Sequence, residues 1–307
     1  MEPSLNLEGV IVPLVTPFSM NGNLDADGLI DQLTWLTGRG LTAVVALGST
    51  GEAPFLDRGE RREVINAAAE NREEGTLLLA GIGVESTRLT IGLALDAAEA
   101  GADAVLVVNP SFYRSAMTPR VLLDHYTAVA DASPLPVVLY TIPQNTGLAL
   151  SHDLVEELSL HPDIIGLKES GGDLRDLQLH LQRTPPEFSI ITGASAIVGY
   201  AAAAGADAAI LAMANVVPEL CVELFRAGRE GALEEMKDMQ ARLSYLTRSI
   251  QGRFGIAGLK AAAELLGGTG GLTRAPLKPV TDEERSMIRA ALVEGGVDIP
   301  AAGKLTG

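Results

Sequence analysis

Short runs of Val, Ile, Leu and Ala alternate along the chain with longer segments whose apolar residues recur every three or four positions. Gly9-Val10-Ile11-Val12-Pro13-Leu14-Val15 opens the pattern and is apolar enough for a strand buried on both faces. Residues 25–38 then place Leu29, Leu33 and Leu36 on one helical face. Further strands are predicted at residues 42–47, 77–82, 104–108, 136–140, 164–168, 189–192 and 208–211. Helical periodicity follows each of them, at residues 57–74, 87–100, 119–131, 151–159, 173–183, 195–203 and 218–227. Strict alternation predicts an α/β protein with a parallel sheet. Eight units in about 230 residues predict a closed (β/α)8 TIM barrel rather than an open sheet. The tetrads Gly101-Ala102-Asp103-Ala104 and Gly205-Ala206-Asp207-Ala208 read as tight helix-to-strand turns with Gly closing the helix. Beyond the eighth unit, residues 231–247, 256–266 and 281–292 read as additional helices, with a Gly- and Pro-rich linker at 267–279. The expected organisation is a catalytic barrel at residues 1–228 and a helical extension at 229–307 packed on it.

Composition narrows the function classes. With 307 residues, 47% of them hydrophobic, the chain can bury a sizeable core. Its net charge of −16 and the absence of any Lys/Arg-rich run argue against nucleic acid and anionic membranes as partners. Cys221, the single cysteine, lies in an apolar-periodic segment and reads as a core thiol. The stretch from Met1 to Gly9 has neither the basic region nor the apolar core of an export signal, and no apolar run reaches transmembrane length. A cytoplasmic protein is expected. The histidines at 125, 152, 161 and 180 show no metal-ligand spacing, so no metal is expected.

In such a barrel, chemistry belongs at the C-terminal ends of the strands. Ile164-Ile165-Gly166-Leu167-Lys168-Glu169-Ser170 is the most informative end, because a lysine appears where a buried apolar run stops. Burial favours the neutral amine, which attacks carbonyls to form a Schiff base. The plainer reading is a lysine paired with a carboxylate. Gly48-Ser49-Thr50-Gly51-Glu52 follows strand two and could turn hydroxyls and backbone N–H groups toward one anion, or could be an ordinary turn before a helix. Strand five ends in Tyr140, either a proton carrier or an aromatic at the barrel mouth. Strands five and six are neighbours, so Tyr140 and Lys168 are expected at the same depth. Thr192-Gly193-Ala194-Ser195 is a thin candidate for a phosphate loop.

Taken together, Gly48 to Glu52, Tyr140 with Pro143 and Thr146-Gly147, and Gly166 to Ser170 resemble the dihydrodipicolinate synthase / N-acetylneuraminate lyase family of class I pyruvate-dependent aldolases. The resemblance runs from Gly9 to about Leu292. Two positions bear on the branch. Synthases of the family usually carry an arginine just before the Thr-Gly, where it binds the carboxylate of aspartate semialdehyde; here Asn145 stands there. They also place a tyrosine on the loop after strand four, where this chain has Phe112 followed by Tyr113. Ser170-Gly171-Gly172-Asp173, Ala214-Asn215, Arg253-Phe254-Gly255-Ile256, Gly258-Leu259-Lys260 and Arg274-Ala275-Pro276-Leu277 are similar to the branch that acts on 4-hydroxy-2-oxoglutarate.

The resemblance implies a lyase in which Lys168 forms an iminium with a 2-oxo acid and Tyr140, held by Ser49, passes the proton. Gly48, Ser49 and Thr50 would take the pyruvyl carboxylate, Asn145 and Ser170 the other end of the substrate. The backbone carbonyl of Ile210 would orient the tyrosine or a substrate hydroxyl. It further implies cleavage of 4-hydroxy-2-oxoglutarate, with the synthase reaction as the alternative. No cofactor is implied, because the lysine is the electron sink, and the expected assembly is a homotetramer built as a dimer of dimers. A non-catalytic barrel that only binds a 2-oxo acid would have no use for the lysine.

Overall fold

Eight parallel strands close into a barrel in chain order: β1 (Gly9–Pro13), β2 (Ala43–Ala46), β3 (Leu77–Gly81), β4 (Ala104–Val108), β5 (Val137–Thr141), β6 (Ile164–Glu169), β7 (Ser189–Thr192) and β8 (Ala208–Ile210). This is a computed structural model that describes residue 5 and residues 7–300. The stretch Met1–Gly9 and the end of the 229–307 extension, both read above, lie partly outside the described residues. The helices between strands are α1 (Ala26–Leu36), α2 (Arg58–Asn71), α3 (Thr87–Glu99), α4 (Pro119–Ala132), a short α5 (Pro143–Thr146), α6 (His152–Leu158), α7 (Leu174–Arg183), α8 (Val198–Ala204) and α9 (Pro218–Glu230). Local chemistry sets their ends. Asp57 and Glu60 form a reciprocal capping box at the start of α2, and Thr118 caps α4, with Pro119 in its first turn.

The strands' period of two separates two cores. Val10, Val12, Val44, Val105, Leu139 and Leu167 point outward and meet the helices. Ile11, Val45, Leu79, Leu106, Val138 and Tyr140 point inward and fill the barrel. β1 stops at Pro13 and not at Val15, because the Val15 N–H donates to the side chain of Asn215 at 3.3 Å. The Asn215 amide in turn donates to the carbonyls of Pro13 (2.8 Å) and Ala212 (3.0 Å), stapling the first strand to the loop after the last.

The extension is α10 (Leu233–Ser249), α11 (Gln251–Leu265) and α12 (Asp282–Glu294). Gln240 of α10 accepts from Gly199 N (2.9 Å) and donates to Ser195 O (2.8 Å), which ties α10 to α8. Gly255 breaks α11 with φ 61 and ψ −146, where the sequence already began a helix at residue 256. The segment 267–279, read as a linker, is an ordered strap. Leu272 exchanges backbone bonds with Phe18, and Arg274 makes a bidentate pair with Glu60 at 2.6 and 2.7 Å. Among the described residues no helix is long and apolar enough to cross a membrane. Cys221 is buried in α9, and burial pushes its thiol up, so the core reading of that cysteine stands.

The α6–α7 contact makes the fold acid-sensitive. His180 is 2% exposed, its ring 4.6 Å from that of His152, which faces Asp176 at 3.5 Å. Burial foremost, then His152 and Arg183, lowers His180 from 6.5 to about 4. The folded state thus keeps this ring neutral while the unfolded chain protonates it. Stability from this site is complete above about pH 6.5, declines as pH falls towards 4, and the loss levels off below that at about 3 kcal/mol. Urea unfolding of wild type and His180→Gln from pH 7 to 4 checks this. The wild type should lose stability more steeply; parallel curves would contradict the assignment.

Candidate active site

The site starts at a bulge. Val137 pairs with Ile164, but Val138 pairs with Gly166, so Ile165 is an extra residue on β6. From there the register runs Leu139 with Leu167 and Tyr140 with Lys168. Because side chains alternate, Leu139 and Leu167 face the helices while Tyr140 and Lys168 face the barrel interior. Were Ile165 paired with Val138 instead of bulged, Lys168 would pair with Thr141 and point outward.

Tyr140 and Lys168 are 4% and 5% exposed. The Lys168 Nζ lies 4.2 Å from the centre of the Tyr140 ring, and the Tyr140 hydroxyl is 3.4 Å from Ser49 Oγ. That last contact is longer than a tight O–H···O bond of about 2.7 Å, as is usual for catalytic hydroxyls without substrate. The plainer reading of Lys168 required a carboxylate partner; among the described residues no ion pair includes it.

Backbone strain presents Ser49. Leu47, at the end of β2, is buried with φ 59, a conformation that costs a branched residue. It is held because its carbonyl lies against Gly81, where a Cβ would approach the oxygen to 2.0 Å. The chain then turns through Gly48, which accepts from Gly51 N at 3.1 Å, and leaves Ser49 and Thr50 half-buried. Glu52, at φ 55, ends the loop with its carboxylate paired to Lys260 Nζ at 2.6 Å. Lys260 also donates to Thr16 O (2.6 Å) and Leu272 O (2.7 Å). Burial draws the Lys260 ammonium down and Glu52 opposes that. Spent on three acceptors, Lys260 holds the Ser49 loop and is not available as a nucleophile.

A cavity of about 300 Å³ opens at this end of the barrel. Gly48, Ser49, Tyr140, Asn145 and Thr146 line it. Lys168, Thr50, Ser170 and Ile210 do not; Lys168 is connected to it through the Tyr140 ring, 4.2 Å from its Nζ. Ile210 is buried on β8 and packs within the barrel, paired with Ile11. Ser170 packs against Gly193, where a Cβ would come within 1.9 Å of Ser170 Oγ and 3.1 Å of Lys168 Cε. Any side chain at 193 would therefore push on the lysine. Thr192-Gly193-Ala194-Ser195, the thin phosphate-loop candidate, is thus part of the packing around Lys168. Glu169 turns the chain here by accepting from the N–H groups of Gly171 and Gly172; burial raises its carboxyl above the usual range, and those two bonds oppose the rise only in part.

Asn145 sits exposed on α5 beside the mouth. Arg114 approaches from the loop after β4, its guanidinium so close to Gly147 that a Cβ there would lie 2.5 Å from Nη1. Phe112 and Tyr113, at the tip of that loop, stack edge to face at 5.0 Å and are both exposed.

Three charged or amide residues of the lining were not singled out from the sequence. Glu85 accepts from Ser111 N and Phe112 N, each at 2.9 Å, and so fixes the β4 loop. Asn109 directly follows β4, and its buried Oδ1 has no hydrogen-bond partner among the described residues. The rule that function sits at strand ends would have found Asn109. Arg61, on α2, carries no such signal.

Comparison with known proteins bears on the fold and the family. The model of the dihydrodipicolinate synthetase family matches residues 6–294. A probable mitochondrial 4-hydroxy-2-oxoglutarate aldolase from Emericella nidulans is 36% identical over 294 residues, 93% of this chain and 94% of its own. A 4-hydroxy-tetrahydrodipicolinate synthase from Methanospirillum hungatei is 33% identical over 288 residues, 93% of this chain and 98% of its own. Among solved structures, dihydrodipicolinate synthase from Bacillus anthracis superposes with a TM-score of 0.90 at 28% identity, covering 97% of this chain and 100% of that one. A prophage protein of the same family from E. coli K12, solved in complex with pyruvate, gives 0.88 at 27% identity, covering 95% and 99%. Barrel, site and relatives converge: the chain belongs to the dihydrodipicolinate synthetase family and is an enzyme of its kind, a pyruvate-dependent class I aldolase acting on carbon–carbon bonds.

Proposed function

We propose that the enzyme cleaves 4-hydroxy-2-oxoglutarate to pyruvate and glyoxylate through a Schiff base on Lys168. The observation that carries the chemistry is the inward pairing of Tyr140 with Lys168, with Ser49 Oγ 3.4 Å from the phenol. The Lys168 amine attacks the 2-oxo carbon, and loss of water leaves an iminium. Removal of the proton from the C4 hydroxyl drives the C3–C4 electrons into the iminium, releasing glyoxylate and leaving an enamine. Tyr140 carries the proton between the C4 oxygen and C3, and Ser49 holds the phenol. Protonation at C3 and hydrolysis release pyruvate and restore the lysine. Gly48, Ser49 and Thr50 supply N–H and hydroxyl donors for the pyruvyl carboxylate. Asn145 takes the distal end, with Arg114 beside it over Gly147. Ser170 acts through its packing on Gly193 and Lys168, and the Ile210 carbonyl orients hydroxyls from the barrel interior.

Asn145 stands where the synthases that the chain resembles carry the arginine for the carboxylate of aspartate semialdehyde, and this weighs against that partner. A carboxylate is best held by a charged bidentate fork, and a neutral amide costs the complex about 1–2 kcal/mol by comparison, or roughly tenfold in affinity. The second reading, 4-hydroxy-tetrahydrodipicolinate synthesis, is favoured by the Methanospirillum relative. Measuring kcat/KM for both substrates side by side decides between them. Wild type should cleave 4-hydroxy-2-oxoglutarate and use aspartate semialdehyde poorly, and Asn145→Arg should move the ratio roughly tenfold towards the synthase reaction. A wild-type enzyme that prefers to condense pyruvate with aspartate semialdehyde overturns the substrate assignment.

A further inference from the structure

The loop that presents Ser49 is bracketed by strain. Leu47, with φ 59, and Glu52, with φ 55, are the two non-glycine residues of positive φ among the described residues, and they stand at its two ends. Such conformations persist only where surrounding contacts over-determine them, and they gather at functional sites. At the Glu52 end those contacts come from the C-terminal extension. The Glu52 and Lys260 side chains are 0% and 2% exposed and form an ion pair at 2.6 Å. The second Glu52 oxygen accepts from Arg274 N of the strap at 2.9 Å. Gly270 lets the strap pass this closely, because a Cβ there would lie 2.3 Å from the Lys260 carbonyl. Lys260 Nζ and the Arg274 guanidinium also lie 4.8 and 4.2 Å from the centre of the Phe18 ring. On the barrel side, Thr16 Oγ1 donates to Gly51 O at 2.7 Å, and the Thr16 carbonyl accepts from Lys260. Taking two charges out of water costs about as much as their attraction returns, and an apolar pair of the same size would serve the fold equally well. Stability alone therefore does not explain the pair.

We propose that Lys260 and Glu52 are positioning residues for proton transfer, and that their ion pair sets the contact between Ser49 and Tyr140. This rests on the reading of Lys168 and Tyr140 given above and goes beyond it, because it makes the C-terminal extension part of the proton-transfer apparatus. The route to the adduct site is continuous. Glu52 N donates to Ser49 O at 3.2 Å, so the two residues share one turn. Ser49 Oγ is 3.4 Å from the Tyr140 hydroxyl, and the Tyr140 ring lies 4.2 Å from Lys168 Nζ. Lys260 itself is spent on Glu52, Thr16 O and Leu272 O, so it acts through the loop alone. The Ser49–Tyr140 contact is already longer than a tight O–H···O bond, and a small further shift of the loop removes it.

The test needs pyruvate alone and is independent of the aldehyde partner. Borohydride trapping at saturating pyruvate counts the sites that form the adduct. Exchange of the pyruvate methyl protons in D2O, followed by proton NMR, reads the proton step. A C3–H bond of the iminium breaks, its electrons close the enamine, and the proton leaves by way of Tyr140 and is replaced by a deuteron. Exchange per trapped site is compared for wild type, Glu52→Gln and the double variant Glu52→Gln/Lys260→Met, which leaves no lone charge buried. Each is made with and without Ser49→Ala. Both variants should keep the adduct at Lys168 and lose exchange per site by about tenfold to a hundredfold, as a displaced catalytic contact does. With Ser49 already replaced, the same changes should cost no more, because groups that act through one another are not additive. A brace that only keeps the enzyme folded lowers trapped sites and exchange in proportion, so a constant ratio overturns the proposal. A full further loss in the Ser49→Ala background also overturns it. Should the double variant fail to fold, Glu52→Gln decides by itself, since it keeps the shape of the side chain and leaves Lys260 its two carbonyls. A wild type that traps pyruvate without exchanging its protons overturns the Tyr140 route, and this proposal with it. A wild type that traps nothing overturns the Lys168 reading itself.

Discussion

Borohydride in the presence of pyruvate is expected to attach pyruvate to Lys168, and Lys168→Ala is expected to abolish both the adduct and turnover. Reduction converts an imine into a stable amine, so peptide mass mapping identifies the lysine directly. Lys168 is placed for this by its inward register, its burial and the lack of a carboxylate partner among the described residues. The other buried lysine, Lys260, binds Glu52, Thr16 O and Leu272 O and should stay unlabelled. Loss of a covalent nucleophile removes the whole route, so kcat should fall by at least about 10⁴-fold. A label on Lys260, or an active Lys168→Ala enzyme, would mean that the electron sink is elsewhere.

Tyr140→Phe is expected to separate adduct formation from turnover. The ring over Lys168 is retained and only the hydroxyl facing Ser49 is lost. Positioned acid–base groups contribute about 10²–10⁴-fold in rate, and kcat should fall by that amount. Pyruvate trapping at Lys168 should persist with little change in half-saturation. Thermal unfolding near the wild-type midpoint would confirm that the loss is chemical, since the hydroxyl makes one loose contact. Near-normal turnover would send the proton through another group, and loss of trapping together with turnover would make Tyr140 a support for the lysine.

These assignments were accessible from sequence because both residues interrupt apolar runs at strand ends. Lys168 follows Ile164-Ile165-Gly166-Leu167, and Tyr140 follows Val137-Val138-Leu139. In a barrel those ends converge on one mouth, so a polar residue there needs a reason. Arg61 was hidden for the opposite cause. It sits in Arg58-Gly59-Glu60-Arg61-Arg62-Glu63, which reads as a solvated helix face. Only the rotation of α2 against the barrel separates buried Arg61 from its exposed neighbours Arg58 and Arg62. The role of Lys260 was equally hidden, since its partner Glu52 lies at the other end of the chain.

Local pattern alone determined the α/β class, the eight units and the order in which their strands meet. Hydrophobic period and capping are short-range properties, and parallel strands joined by helices have few ways to pack. Two matters needed the tertiary structure. One is charge compensation: whether Lys168, Arg61 and Lys260 are paired depends on groups brought together from distant segments, and burial makes each pairing costly to lose. The other is the face on which Lys168 emerges. Ile164-Ile165-Gly166-Leu167 is apolar on both faces, so alternation cannot say which way the next side chain points. A one-residue slip would turn the lysine towards the helices. The bulge at Ile165, set by hydrogen bonding between β5 and β6, turns it inward beside Tyr140.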